Sequence, residues 1–182
     1  MASTVLTTTY QEVASGKKSF TADSTACAVT HTIEARINSI DEEKLTAKID
    51  VRTYVKGTKN QFSSTDNVQY IRIDQETKKI GYSIGTIKNG TIRKTAEVTY
   101  TVNYNEDGIY QDVIIRAVSN IYGNVNVEAE GYITLPELNI ANARIGINSE
   151  VVKGMFRFGY NQNVTKPDVY IGDANGKPLK GV

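Results

Sequence analysis

The strongest constraint on the fold is a regular alternation of apolar and polar residues in several segments of the chain. The clearest segment has apolar residues at every second position, namely Val125, Val127, Ala129, Gly131, Ile133 and Leu135. Successive side chains of a β-strand point to opposite faces, so a period of two predicts a strand with one buried and one solvated face. Pro136 follows and would end this strand, because it lacks the amide hydrogen that the ladder needs.

The same alternation occurs in residues 29–37 and 45–55, separated by the acidic stretch Asp41-Glu42-Glu43. Two alternating segments with a short polar connection predict an antiparallel hairpin. Shorter alternating runs at residues 68–73 and 80–84 predict two more strands.

Two turn sequences predict further hairpins. Asn89 and Gly90 suit the central positions of a type I′ turn, where both residues need positive φ, so a hairpin is expected over residues 86–94. Asp107 and Gly108 supply turn chemistry between expected strands at residues 97–104 and 110–118.

Many short strands, with turn signals roughly every 8–12 residues, predict an all-β fold in which two antiparallel sheets pack as a β-sandwich. A small β-barrel is the alternative. We expect the sandwich domain in residues 29–145. Residues 1–28 are rich in Thr, Ser and Ala and are expected to form an extended arm with an edge strand. The turn-rich residues 146–182 are expected to form a C-terminal appendage or assembly segment.

Composition limits the partners and the compartment. The 182 residues carry 21 basic and 20 acidic side chains and a net charge of +1, so no field attracts nucleic acid or an anionic membrane. The sequence has no apolar stretch near the roughly 20 residues that span a bilayer, and we expect no secretion signal. The single Cys27 excludes an intramolecular disulfide and fits synthesis in a reducing cytoplasm.

The single histidine, His31, restricts His-dependent catalysis and zinc binding to one position. Cys27 lies four residues earlier, and at about 3.3 Å per residue a strand separates their Cα atoms by roughly 13 Å. They are too far apart to form a nucleophile–base pair. We expect a core histidine with a hydrogen-bonded ring.

Two other motifs superficially suggest chemistry. Glu128 and Glu130 share the polar face of one strand, at a separation close to the roughly 5–5.5 Å that retaining glycosidases use. Nothing in the pattern would desolvate either carboxylate, so a solvated strand face is the favoured interpretation. The sequence Asp173-Ala174-Asn175-Gly176 opens like a calcium loop but lacks the later glutamate, which favours a plain turn. We expect no catalytic residue, metal site or cofactor.

Two aromatic residues are candidate ligand contacts. Tyr132 lies on the polar face of its strand, where its ring would be free to stack against a saccharide or a partner. Phe62 lies in a polar stretch, residues 57–67, whose length is typical of binding or assembly loops.

The segment from Thr101 through the Asn105-Glu106-Asp107-Gly108 turn, with the later ending Gly131-Tyr132-Ile133-Thr134-Leu135-Pro136, resembles a module of minor structural tail proteins of bacteriophages that infect Gram-positive bacteria. The resemblance covers about residues 17–140, including the hairpin at residues 32–54. Tyr104 replaces the histidine of the family's T-V-x-H-N-x-D-G turn, and the arginine that follows the family's proline is missing.

This resemblance implies a tail or baseplate component of a virion, synthesised in the bacterial host cytoplasm. It also implies homo-oligomeric assembly with other virion proteins and allows binding of a host-surface saccharide, but it implies no catalytic residue. A capsid decoration protein and a carbohydrate-binding host-adhesion module are the alternatives. A glycosidase would depend on Glu128 and Glu130 alone.

Overall fold

The computed structural model describes residues 7–42, 44–105, 108, 112–138, 144–148 and 168–172. These residues form strands, turns and irregular segments, with no helix among them. The strands are β1 (Gln11–Ala22), β2 (Thr25–Asp41), β3 (Thr46–Lys59), β4 (Phe62–Ser64), β5 (Asn67–Ile73), β6 (Glu76–Tyr82), β7 (Gly85–Ile87), β8 (Ile92–Asn103), β9 (Asp112–Tyr122), β10 (Val125–Thr134), β11 (Arg144–Asn148) and β12 (Asp168–Gly172). The chain divides into two compact units, Met1–Leu138 and Asn139–Val182.

The first unit is built from two four-stranded antiparallel sheets. The first sheet has the order β1-β2-β3-β8 and the second the order β10-β9-β5-β6, while β4 and β7 form a small ladder of their own. The inner faces meet: the hydroxyl of Tyr100 on β8 donates to the backbone carbonyl of Ile71 on β5 at 2.6 Å. The predicted antiparallel all-β sandwich is therefore confirmed. The barrel alternative is wrong, because each sheet ends in edge strands and does not close on itself.

The long β2–β3 hairpin confirms the prediction for residues 29–55. The odd positions of β2 from Cys27 to Ile37 are buried, and the intervening residues from Ala28 to Arg36 are partly exposed. The period-two pattern thus places one face of the hairpin in the core, as expected for a half-buried sheet.

The turn at Asn89-Gly90 does not close a hairpin. The strands beside it belong to different ladders, since β7 pairs with β4 and β8 pairs with β3. A turn does form, in which the amide of Thr91 donates to the carbonyl of Lys88 at 2.9 Å. Gly90 has a φ of 84°, whereas Asn89 is not in the left-handed region. A single positive φ at the third residue is the signature of a type II turn, and type I′ requires two.

The second predicted hairpin, between residues 97–104 and 110–118, is also wrong. β8 pairs with β3 in the first sheet, and β9 pairs with β10 and β5 in the second, so the connection crosses between the sheets. Gly108 has a φ of 65° and its amide donates to the carbonyl of Asn105 at 3.0 Å, which preserves a local turn. Asp107 lies outside the described residues.

The N-terminal region contributes a full edge strand. β1 pairs with β2 along its whole length, so the expected boundary after residue 28 falls inside β2. β1 also lies against β10: a Cβ added at Gly16 would collide with the carbonyl of Glu128, and one added at Gly131 with the carbonyl of Val13. The two strands can approach this closely because glycine stands at both contacts.

In the second unit, β11 and β12 pair antiparallel. The expected boundary after residue 145 falls inside β11. The calcium-like sequence beginning at Asp173 lies outside the described residues.

Candidate contact surface on the second sheet

The outer side of the second sheet is shaped by the alternation along β9 and β10. On β9, Val113, Ile115 and Ala117 are buried, which turns Ile114 and Arg116 outward. We call this side the second-sheet face and define it by eight of the outward residues of β5, β9 and β10. They are Tyr70, Arg72, Ile114, Arg116, Val118, Glu128, Glu130 and Tyr132.

Strand register brings these side chains into rows that cross the sheet. One row contains Arg72, Arg116 and Glu130. The row on one side of it contains Tyr70, Val118 and Glu128. On the other side, Tyr132 pairs directly with Ile114. Side chains opposite each other on neighbouring strands lie about 4.5–5.5 Å apart at Cβ, so each row forms a continuous contact strip.

Arg116 is the electrostatic centre of the face. Its Nε lies 2.5 Å from Oε1 of Glu128 and 3.9 Å from Oε2 of Glu130. The hydrogen bond from Arg116 lowers the pKa of Glu128 below its ordinary value. Arg72, in the same row as Arg116, donates from Nε to the backbone carbonyl of Asp74 at 2.8 Å. A groove of about 250 Å³ is lined by Arg72, Asp74, Ile114, Arg116 and Glu130.

Large apolar side chains are concentrated on this face. In the described part of the chain four such side chains are exposed, and three of them, Tyr70, Ile114 and Tyr132, lie here at 45%, 55% and 59% exposure. The fourth, Ile92, belongs to the first sheet. A cluster of exposed apolar groups beside paired charges is typical of a surface that contacts another molecule.

The two aromatic candidates lie in different environments. Tyr132 is exposed on the second-sheet face, where a partner or ligand can reach it. Phe62 is only 5% exposed and packs edge-on against Phe20, with 5.0 Å between ring centroids. Its region is mostly strand, because β3 continues to Lys59 and β4 begins at Phe62 itself. Phe62 belongs to the core and is not a ligand contact.

Glu128 lacks the electrostatics of an acid catalyst. A glycosidase needs one carboxyl with a raised pKa that stays protonated near neutral pH. Glu128 instead has a lowered pKa because Arg116 binds its ionised form. Glu128 and Glu130 share this arginine and are both exposed, which fits a surface charge cluster.

A second polar feature lies inside the sandwich. The Nε2 atom of His31 lies 3.0 Å from Oγ of Ser119, which donates to Oε1 of Gln69 at 2.9 Å. Gln69 donates from Nε2 to Oγ1 of Thr53 at 2.8 Å, and Thr53 and Thr95 are joined by a hydroxyl hydrogen bond of 2.8 Å. This buried polar chain of hydrogen bonds links strands β2, β3 and β8 of the first sheet to strands β5 and β9 of the second sheet.

His31 is a core histidine, as expected. It is 0% exposed, and burial lowers its pKa to about 4, so the ring is neutral at physiological pH. Because Ser119 donates its hydroxyl proton to Gln69, Nε2 of His31 carries the ring proton. Its Nδ1 atom is buried without a hydrogen-bond partner. Cys27 does not pair with the ring, since its thiol donates to the carbonyl of Gln61 at 3.7 Å.

Sequence reasoning missed the basic half of the second-sheet face. Arg72 and Arg116 each lie between buried residues, so each can be recognised as an outward residue of its own strand. The sequence of neither strand, however, shows that β5 and β9 are adjacent in the sheet. The signal for the buried polar chain was present: Gln69 and Ser119 occupy positions in phase with the apolar residues of their strands. A polar residue in an apolar phase indicates a hydrogen-bonded group inside the core.

The described residues also lack two other features that would indicate a function, a metal-ligand cluster and a membrane-spanning helix. Within the described residues, no three His, Cys, Asp or Glu side chains come together as metal ligands would. Nor do those residues include a helix with the length and apolar character needed to cross a membrane. Comparisons with protein-family models, curated proteins and solved structures find no match for this chain.

Proposed function

We propose that this chain is a non-enzymatic structural protein of a bacteriophage virion, a component of the tail or baseplate. The observation that carries the proposal is the second-sheet face, where Tyr70, Ile114 and Tyr132 are exposed around the ion-paired Arg116. Such an amphipathic sheet face can pack against a neighbouring subunit. The resemblance of the Thr101 to Pro136 segment to tail proteins supplies the type of assembly.

The side chains able to carry chemistry support the same conclusion. His31 is fully buried and hydrogen-bonded to Ser119, so its ring is not presented to a substrate. Glu128 is paired with Arg116 and has a lowered pKa, which is the wrong direction for a general acid. His31 and Glu128 thus have structural partners, while the side chains of Tyr70, Ile114 and Tyr132 are exposed to solvent.

Quantitative mass spectrometry of gradient-purified phage particles tests this proposal. Phage particles whose genome encodes the chain should retain its peptides in a constant ratio to known tail proteins. Abundant host cytosolic proteins serve as the control and should decline with each gradient step. Loss of the chain in parallel with those proteins would contradict the proposal. Separating heads from tails before the measurement distinguishes a tail component from a capsid decoration protein, which would follow the heads.

The second candidate function is a carbohydrate-binding host-adhesion module. Tyr132 favours it, because its exposed ring lies beside Ile114 at the border of the polar groove. Aromatic rings stack on saccharides, and groups such as Arg72 and Asp74 can hydrogen-bond hydroxyls.

Calorimetric titration with solubilised host cell-wall polysaccharide tests this candidate. Tyr132→Ala should weaken binding about tenfold, which corresponds to about 1.4 kcal/mol of stacking. Ile92→Ala removes an exposed apolar residue from the other sheet and should leave binding unchanged. Absence of binding by the unmodified protein would remove the candidate.

A further inference from the structure

One carboxamide inside the sandwich is contacted by hydroxyl groups from both sheets. The side chain of Gln69 on β5 is fully buried. Oγ of Ser119 on β9 lies 2.9 Å from its Oε1 atom, and Oγ1 of Thr53 on β3 lies 3.3 Å from Oε1 and 2.8 Å from Nε2. Thr53 and Ser119 are also fully buried, so the three groups meet away from bulk water.

The position of Thr53 beside this carboxamide suits nucleophilic attack. Its Oγ1 atom lies within 3.3 Å of both terminal atoms of the Gln69 side chain. Because Cδ is bonded to both of these atoms, Oγ1 lies within about 3.5 Å of Cδ, which is the separation of reacting groups in a near-attack arrangement. A hydroxyl held at this distance from an acyl carbon can form an ester with it.

Ser119 and His31 polarise the carbonyl group of the same carboxamide. Ser119 donates its hydroxyl proton to Oε1 of Gln69, and the protonated Nε2 of His31 lies 3.0 Å from Oγ of Ser119. Negative charge that develops on Oε1 during an attack on Cδ would be stabilised by this chain of donors, as it is in an oxyanion hole. The low dielectric of the core strengthens these hydrogen bonds.

We propose that Thr53 and Gln69 form an intramolecular ester bond, which joins β3 of the first sheet to β5 of the second. Oγ1 of Thr53 attacks Cδ of Gln69, and its proton passes to Nε2, which is 2.8 Å away. The C–O bond forms, the C–N bond breaks, and the amide nitrogen leaves as ammonia. Ammonia becomes ammonium in neutral solvent, and ammonium cannot attack the ester, so the reverse reaction is suppressed.

Thr53 is the nucleophile because of the atoms that each hydroxyl approaches. Ser119 contacts the carbonyl oxygen, to which it donates its proton, whereas Thr53 also lies beside the leaving nitrogen. Only a group beside that nitrogen can deliver the proton that ammonia needs to leave. The bond is independent of the proposed virion role, since it forms within one chain, and it would resist separation of the two sheets.

Intact mass spectrometry of the purified protein, denatured after storage at neutral pH, tests for the bond. The protein should be lighter than its sequence by the mass of one ammonia molecule. Trypsin should then release residues 53–56 and 60–72 as one linked species, because these peptides contain Thr53 and Gln69. Hydroxylamine, which cleaves esters, should separate the two peptides and leave a hydroxamate on Gln69.

Variants of the buried groups assign the roles, and circular dichroism shows which of them are folded. Thr53→Val and Gln69→Met remove one reacting group each and should keep the full mass, whereas Thr53→Ser keeps a hydroxyl and should lose ammonia. Ser119→Ala should slow the loss about a hundredfold, because it removes the donor to Oε1. Thr95→Val is the matched control: it removes a buried hydroxyl that shares a 2.8 Å hydrogen bond with Thr53, and it should still react.

Three results would overturn the inference. The first is stored protein that keeps the full mass of its sequence. The second is an ammonia loss that maps to Asn89, where the following Gly90 allows a succinimide with the same mass change. The third is an ester on Ser119 in place of Thr53. These results come from the unmodified protein, so they decide the question even if a variant does not fold.

Discussion

Acidification should destabilise this protein through the buried ring of His31. In the unfolded chain the ring has its ordinary pKa of 6.5, whereas burial lowers the folded-state pKa to about 4. Between these values the unfolded state binds a proton that the folded state does not, so stability falls as pH falls. Below about pH 4 the folded ring is protonated as well, and this contribution stops changing.

The size of the effect follows from the same two pKa values. A difference of about 2.5 pH units, at 1.36 kcal/mol for each, amounts to about 3 kcal/mol. At pH 4.5 about 2.5 kcal/mol of this should already be lost relative to pH 7. That is a large share of the roughly 5–15 kcal/mol by which domains are typically stable.

Urea unfolding at several pH values measures the loss, and His31→Gln supplies the comparison. Glutamine does not titrate, and its amide can still donate to Ser119. Carboxylates such as Asp50 contribute to both proteins, so the difference between the two pH profiles isolates His31. The variant should lose about 2.5 kcal/mol less than the unmodified protein between pH 7 and pH 4.5.

Proton NMR provides an independent check, because the chain contains one histidine and its ring resonance needs no further assignment. The resonance should titrate near pH 4 in the folded protein. Titration near 6.5, or equal acid losses in the unmodified protein and His31→Gln, would refute the reasoning.

The remaining predictions concern stability at neutral pH, measured by urea unfolding. Gly131→Ala should cost about 1–3 kcal/mol because the new Cβ meets the backbone of β1, whereas Gly81→Ala has open space and should be neutral or slightly stabilising. Equal effects would contradict the close approach of β1 and β10. Tyr10→Leu should cost about 1–2 kcal/mol because two arginine guanidinium groups lie 3.3 and 4.5 Å from the ring centroid, and Tyr10→Phe, which keeps the ring, should cost below about 0.5 kcal/mol. A loss for Tyr10→Phe as large as that for Tyr10→Leu would assign the effect to the hydroxyl. Phe62→Ala should cost about 3–5 kcal/mol as a core truncation, while Tyr132→Ala should change stability by less than about 0.5 kcal/mol. The reverse order would contradict the placement of these two rings.

The sequence predicts which segments form strands far better than it predicts which strands pair with each other. Alternation identifies β10 and the β2–β3 hairpin, because the identity of the buried face is a local property of each strand. Pairing is not local. The turn at Asn105 and Gly108 reverses the chain, but in a sandwich a reversal can join partners or can cross from one sheet to the other, and turn chemistry is the same in both cases.

β1 shows a different limit of sequence patterns. Its residues are mostly exposed or half-buried, so the strand has no clear apolar phase. Its position depends on backbone pairing with β2 and on the glycine contacts with β10. None of these interactions leaves a hydrophobic period in the sequence.

The second-sheet face could be predicted only in part, for the same reason. Tyr132 and the two glutamates of β10 are recognisable as outward residues from their own strand. The arginines that complete the face come from β5 and β9, and only the three-dimensional order β10-β9-β5 brings them together. The charge separation across the face is therefore a property of topology.

Immunoelectron microscopy of intact particles tests whether this protein is a component of the phage tail or baseplate. Antibodies raised against the purified chain, detected with gold-labelled secondary antibody, should label the tail or baseplate of phage particles whose genome encodes the chain. Preincubation of the antibodies with the purified protein should abolish this labelling. Gold should lie at one consistent position on the tail; particles that stay unlabelled, with gold only on unassembled cytoplasmic material, would contradict a role in the virion.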